Sequence, residues 1–470
     1  MKQFLALCAG LVLSTGVLAQ IDSSFAAILQ SEIDSRRTAA GITGIEFTII
    51  LDGGCRWTTT SGLGTSGNPI DTSLYFTIGS VSKSMTASLI LLLQEDGLLD
   101  IDDPIGMHID TDELLYVDST ETIRQLLNHT STISNNWGDN PTTPLWQAVW
   151  ADRDSVWSWR DALDSVYMLP KVSNPNRDHK YNAFTTYSIL GMIIEEVSGN
   201  TYEQEAQTRL FTPLGMSNSV IFTNGLSMSQ LNGVYANGQD RSTWSHTSYL
   251  TTRGGGGSWA GNSSDAATFI RALHTGQVIS ASNLADMHTK VDNAPVVLPG
   301  TCNGTVEVNY GLGTNIWEFR GADTSIYYGH GGNGLGMNIL MHSADYGYTM
   351  AILGNDFEKV NEVGLMSIEL GCVIENALSS YSCSIGSEEW EQSFFMAYPN
   401  PGSDVLNVNW GTEIESGELI ILSNSGETVY SSTVHGIRTE INTAGLPMGV
   451  YIIQLNDGKH IRTSRWIKAE

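Results

Sequence analysis

Apolar positions recur at helical spacing along SFAAILQSEIDSRRTAA, residues 24–40, and the run stops at Gly41, which predicts a helix. GIEFTIILDGG and CRWTTTSGLG follow as two strands joined by a glycine turn. A long helix is expected over 80–96, with Gly97 as its stop. From 101 to 250 the pattern is mixed, with many short helical runs and loops. Strands return at 307–318, 325–328, 336–342 and 348–354, and 361–379 reads as a closing helix. Strands at both ends around a helical insert predict an α+β architecture. Its expected form is an antiparallel sheet flanked by terminal helices, with an all-helical lobe beside it. The cleft between the two is the natural binding site.

The pattern changes near SIGSEEWEQ, 384–392. Beyond it, alternation in VLNVNW, GELIILS, ETVYSS and GVYIIQL, with Gly and Asn turns between, predicts a small β-sandwich. The expected division is a larger domain at 20–385, a linker at 386–392 and the sandwich at 393–470. The N-terminal MKQFLALCAGLVLSTGVLAQ has one early positive charge, an apolar run and Val17-Leu18-Ala19 before Gln20. That reads as a signal peptide over residues 1–19, its apolar run being shorter than the ~20 residues a membrane span needs.

A chain of 470 residues is long enough for two domains, as the patterning requires. Charge narrows the function more than length does. The net charge of −27 argues against nucleic-acid binding, which needs a basic face. Four cysteines remain after the leader, Cys55, Cys302, Cys372 and Cys383, and an oxidising destination suits an even count. Cys372–Cys383 is the expected pair, since the two lie close together at the end of a predicted helix. No His or Cys spacing resembles a metal site, and no metal or cofactor is expected. Gly62-Leu63-Gly64-Thr65-Ser66-Gly67 fits a dinucleotide fingerprint, but turn and strand follow it where a helix is needed. The run Gly254–Gly257 reads as a flexible turn before a helix at 264–274.

FTIGSVSK, 76–83, carries the chemistry. Ser80 stands at the mouth of the predicted helix, and Lys83, three residues on, shares its face. A serine hydroxyl needs a base within hydrogen-bond reach. A lysine serves only if burial or positive charge lowers its pKa from about 10.4. The positive end of a helix works in that direction, and the Ser80 N–H is placed to bind an oxyanion.

Ser80 and Lys83 also head a longer series. FTIGSVSKSMTA, LLDIDDPI, TIRQLLNHTS, YSILGMIIEEVSG, LFTPLGM and YGHGG occur in that order over residues 40–380. Together they resemble the serine β-lactamase and D,D-peptidase superfamily, in particular its class C β-lactamase-like branch. The resemblance implies that Ser80 is acylated and that Lys83 takes its proton. It implies a Tyr-x-Asn motif at KYNAFTTYSILG, with Tyr181 shuttling protons to the leaving group. Asn182 there follows the tyrosine directly, instead of two positions on. His330-Gly331-Gly332 matches the family's third motif in its His-x-Gly form, with His330 steering a substrate carboxylate or carbonyl. Gly332 would permit close approach of substrate, and the N–H of Asn333 would complete the oxyanion site.

Two departures bear on substrate. The third motif lacks the lysine of many relatives, and the usual His-Thr-Ser-Gly reads His129-Thr130-Ser131-Thr132. Peptide or ester substrates are therefore expected, in D,D-carboxypeptidase, D-amino-acid peptidase or esterase chemistry. A true β-lactamase and a catalytically silent binding protein are the alternatives. The tail, with AYPNPGSDVLNV and GLPMGVYIIQL, resembles the type A sorting domain of the type IX secretion system. That resemblance implies the secretion machinery as a partner and a secreted or cell-surface location reached through the periplasm. A binding module of similar fold is the alternative for the tail.

Overall fold

The computed structural model describes residues 21–468 apart from 113, 137–141, 237, 292–295, 300–303, 321–323, 379, 382–395, 399–403, 424–426 and 459–460. The expected signal peptide and the linker at 386–392 lie outside the described residues. The first helix, Ser23–Ala40, starts where the Asp22 carboxylate accepts the N–H groups of Ser24 (2.8 Å) and Phe25 (3.3 Å). It ends at Gly41 in the left-handed region, φ 64°. Phe25, Leu29 and Ile33, one helical turn apart, are its buried stripe.

The main sheet is antiparallel. Its order is Arg56–Gly62, Gly44–Leu51, Tyr348–Gly354, Met337–Ser343, Thr324–Asn333, Asn315–Arg320, Thr305–Tyr310 and Val296–Pro299. The N-terminal hairpin therefore closes onto the last strand of the domain, Ile45 opposite Gly354 and Leu51 opposite Tyr348. Strand Gly44–Leu51 is buried at every position because helices cover both faces. Ile45, Phe47, Ile49 and Leu51 share a core with Phe25, Leu29 and the closing helix Val360–Leu378. Thr48 and Glu46 reach the other face, where the Glu46 carboxylate accepts the N–H and hydroxyl of Ser263 and so anchors helix Ser263–His274. Burial raises that carboxyl to about 7.

Two strand expectations need adjustment. The stretch 307–318 is two strands, because Gly311-Leu312-Gly313 turns the chain, with Gly313 at φ 68° and Gly311 N–H bonded to Thr314 O at 2.9 Å. The strand expected at 325–328 runs on to Asn333, since its glycines keep pairing with Met337–Met341. The lobe is helical apart from a three-stranded sheet of Phe76–Thr77, Trp259–Gly261 and Ser219–Ile221 and one short hairpin. Its central helix, Ser82–Glu95, is buried from Ser82 to Leu93 and packs against helix Thr185–Ser198. That complete burial gives the helix a fixed place from which to present the start of its first turn.

In the tail, strand Val405–Ser423 shifts register near Ile414, so its first half pairs with Met396–Tyr398 and its second with Gly449–Asn456. Residues from both halves, including Val408, Trp410, Leu419 and Ile421, meet in one core with Tyr451 and Trp466, as in a sandwich. Cys55 and Cys372 are each disulfide-bonded. Cys302 and Cys383 lie outside the described residues, and with them the expected Cys372–Cys383 pairing. Among the described residues no helix is long and apolar enough to cross a membrane.

Candidate active site

The turn Gly79–Val81 precedes helix Ser82–Glu95 and carries Ser80 to the edge of the strand Thr324–Asn333. The approach is tight enough to demand glycine on both sides. Gly79 has φ 62°, and a Cβ there would lie 2.6 Å from the carbonyl carbon of Asn333. A Cβ on Gly332 would lie 2.1 Å from the Ile78 carbonyl oxygen and 3.2 Å from the Ser80 nitrogen. The backbones bearing Ser80 and Asn333 are thus held side by side, as an oxyanion site requires.

Lys83 is fully buried, and its Nζ lies 3.0 Å from Ser80 Oγ. Its other neighbours are two carbonyl oxygens, those of Ala183 and of Gly256, the latter at 3.2 Å. A carbonyl only accepts, so a neutral amine spends its two hydrogens there and turns its lone pair to the Ser80 hydroxyl. Burial, and then the charge of Arg253, holds Lys83 well below the usual ammonium range. Among the described residues no carboxylate pairs with it. The Gly254–Gly257 run, expected as a flexible turn, is a buried element against this helix. Gly256 accepts from Lys83, the Gly255 carbonyl accepts from Thr86 Oγ1, and Trp259 N–H bonds to Ser82 Oγ at 3.1 Å. Side chains here would collide with helix Thr185–Ser198 and its lead-in; a Cβ on Gly255 would sit 2.6 Å from the Tyr187 carbonyl oxygen.

Tyr181 is half-exposed on the cavity wall, its ring centroid 5.1 Å from Lys83 Nζ. Asn182 turns the other way. It is buried, its N–H bonds to His129 Nδ1 at 3.3 Å, and its amide reaches the Ile133 carbonyl at 3.2 Å. The structure thus separates the two, bringing Tyr181 to Lys83 and placing Asn182 inside the lobe. The bonds to His129 and Ile133 are what hold Asn182 inward. His129 is the hub of that loop, buried with φ 60° and its ring 4.6 Å from Tyr181 and 4.8 Å from Tyr310.

His330 lines the cavity, but both of its ring nitrogens are committed. Nδ1 donates to the Gly331 carbonyl, so Nε2 is the bare nitrogen and accepts the Tyr310 hydroxyl at 2.9 Å. Burial, helped by the Lys83 charge, pushes the ring down to about 3, so it is neutral at pH 7. Tyr310 gave no sign in the sequence beyond a tyrosine within the strand expected at 307–318. It reaches His330 only because two turns fold three strands side by side.

The cavity, about 590 Å³, is otherwise aromatic and apolar. Trp146, Trp150, Phe184, Tyr249, Phe357 and Met337 form much of its wall. Arg253 stands among them, 2% exposed, its Nη1 bonded to the Asn333 carbonyl at 2.7 Å. Its guanidinium lies 3.8 Å from the Tyr249 ring centroid and 4.6 Å from that of Phe184. The only sequence signal for it was a cation just before the glycine run. Among the described residues no group of side chains could hold a metal ion.

A profile of the family described as Beta-lactamase matches residues 29–369, and one described as Secretion system C-terminal sorting domain matches 396–469. Penicillin-binding protein 4* of Bacillus subtilis (strain 168) is 27% identical over 311 residues, 63% of this chain and 63% of that protein. The chain thus spans a little under two thirds of the length of such relatives. A D-stereospecific amidohydrolase from Streptomyces sp. superimposes with a TM-score of 0.58 at 26% identity, covering 72% of this chain and 97% of that one. The D-amino acid amidase from Ochrobactrum anthropi SV3, complexed with D-phenylalanine, gives a TM-score of 0.62 at 23% identity over 75% of this chain and all of that one; at this identity it speaks for the fold alone.

Proposed function

The chain belongs to the beta-lactamase family of serine hydrolases and ends in a type IX secretion sorting domain, and on that footing we propose that it is an exported hydrolase acting through an acyl-enzyme on Ser80. The observation that carries this reading is the placement of Lys83 Nζ, buried, 3.0 Å from Ser80 Oγ and with two carbonyls as its other hydrogen-bond partners. Lys83 Nζ takes the hydroxyl proton as Oγ bonds to the substrate carbonyl carbon. The developing oxyanion is held by the N–H groups of Ser80 and Asn333. Collapse breaks the bond to the leaving group, which receives a proton through Tyr181. Water then attacks the ester along the reverse proton path and frees Ser80.

Gly332 lets substrate lie against the strand, and Asn182 shapes the loop that carries Tyr181. His330 acts as a fixed neutral wall with Tyr310 behind it. In motif form the chain resembles the class C-like branch. A third motif whose ring is neutral favours D-amino-acid amide, peptide or ester substrates over β-lactams, in line with the D-stereospecific amidohydrolase from Streptomyces sp. that the chain resembles. The hydrolase domain is assigned to 20–385, the sorting domain to 393–470, and export to an N-terminal signal peptide at 1–19 followed by the type IX machinery.

The test is the intact mass of the protein after exposure to a penicillin, beside Ser80→Ala. A stable adduct on the wild type alone is the expected result and marks slow deacylation. Rapid loss of the drug without an adduct would make the protein a true β-lactamase. No adduct, intact drug and no hydrolysis of D-amino-acid esters would leave a silent binding protein and end the proposal.

A further inference from the structure

The cavity carries one permanent charge and it is positive. Of the lining residues, His330 and His246 are neutral at pH 7, burial having pushed them down to about 3 and about 4. No Asp or Glu lines the cavity among the described residues. Arg253 is the exception, in a chain of net charge −27. Burial draws it down to about 9, which leaves it protonated at neutral pH. Among the described residues its Nη1 has a protein acceptor, the Asn333 carbonyl, and its buried Nε has none. A cation this deep with donors unspent is destabilising unless an anion meets it. The Tyr249 and Phe184 rings lie against the guanidinium, whose planar fork of donors suits a carboxylate.

Its end of the cavity can be assigned to one side of the scissile bond. In the mechanism above Tyr181 protonates the leaving group, and its ring lies 6.4 Å from that of His330 and 6.2 Å from that of Tyr310. The leaving group therefore lies toward the His330 end of the strand. Arg253 grips Asn333, three residues further along, among Tyr249, Phe184 and Trp150. The acyl part lies there. Two lining acceptors lack a partner among the described residues, Asn135 Oδ1 and His246 Nδ1, and both are neutral and suited to an N–H.

We propose that Arg253 binds an anionic group on the acyl part of the substrate, seated beside an aromatic or flat apolar group, so that the enzyme selects N-acylated, carboxylate-bearing acyl donors over ones with a free ammonium. The proposal rests on the reading of Ser80 as nucleophile for its orientation, but it is testable without chemistry. Three D-phenylalanine p-nitroanilides, N-succinylated, N-acetylated and unmodified, present an anion, a neutral amide and an ammonium at one place. Their dissociation constants for Ser80→Ala should rank succinyl tightest, by about tenfold over acetyl, with the unmodified amine weakest. Adding Arg253→Met should bring succinyl and acetyl within about twofold of each other. Thermal melting reports whether that variant folds; if it does not, Arg253→Lys, which keeps charge and loses the planar fork, should show a reduced succinyl preference. Tighter binding of the unmodified amine, a succinyl preference indifferent to position 253, or no binding by any of the three overturns the proposal. Failure of the nucleophile reading looks different: wild type forms no Ser80 adduct while the binding order stands.

Discussion

Two groups of buried and half-buried histidines occupy this domain, and they show what burial alone does and does not create. One, His129, His179 and His330, surrounds Lys83 with Tyr181, Tyr187 and Tyr310. The other is a stack. His274 Nδ1 and His288 Nε2 lie 3.0 Å apart, the His288 ring sits 3.6 Å from that of Tyr328, and His342 Nδ1 meets Thr349 Oγ1 at 2.9 Å. Burial lowers every one of these rings, most strongly His129 and His274. A depressed histidine therefore marks desolvation and not chemistry. The groups differ in their surroundings: the first adjoins a lysine with a hydroxyl in reach and a cavity beyond it, and the second adjoins packed side chains.

The sharpest way to break the comparison is to remove the chemistry and keep the packing. Ser80→Ala should abolish turnover, and Lys83→Met should lower kcat/KM by about three orders of magnitude or more, measured on a D-amino-acid ester. His288→Asn, in the stack, should leave kcat/KM within about twofold while lowering the melting temperature. A large loss of activity there would erase the distinction.

Tyr310→Phe probes the link between His330 and the rest of its group. It strips the Tyr310 hydroxyl from His330 Nε2, leaving a buried acceptor unpaired at a cost of about 1–3 kcal/mol. Turnover should fall about tenfold, with kcat affected more than KM, because the ring loses the partner that orients it. Unchanged kcat would make Tyr310 a packing residue only.

Proton linkage separates the groups more finely. Removing the positive charge in Arg253→Met relieves a repulsion that lowers Lys83, so the Lys83 pKa rises. The acid limb of kcat/KM against pH should move to higher pH, and a limb that stays put would remove Lys83 as the base. The stack predicts stability instead. His288 and His342 titrate near 4 when folded and near 6.5 when unfolded. The unfolded state thus binds more protons between those values, and stability rises with pH across that window and is lost as pH falls through it. His342→Gln should flatten that slope by up to about 1.4 kcal/mol per pH unit, the smallest effect here, read from denaturant unfolding between pH 4 and 6.5.

Much of this was legible along the chain. Helical spacing ending at Gly41, strand alternation at both ends, and Ser80 with Lys83 three residues apart are local patterns. Local patterns survive in sequence because turn geometry and side-chain period are properties of neighbouring residues. The order of the motif words carried the family for the same reason. The tertiary structure decided what depends on residues far apart. Arg253 lies 170 residues from Lys83 in the chain and becomes its electrostatic neighbour by packing of the glycine run on the central helix. Tyr310 reaches His330, and Asn182 turns away from Tyr181, through contacts that no spacing encodes. Whether a lysine is a solvated cation or a buried base is set by desolvation, and desolvation exists only once distant segments have closed over it.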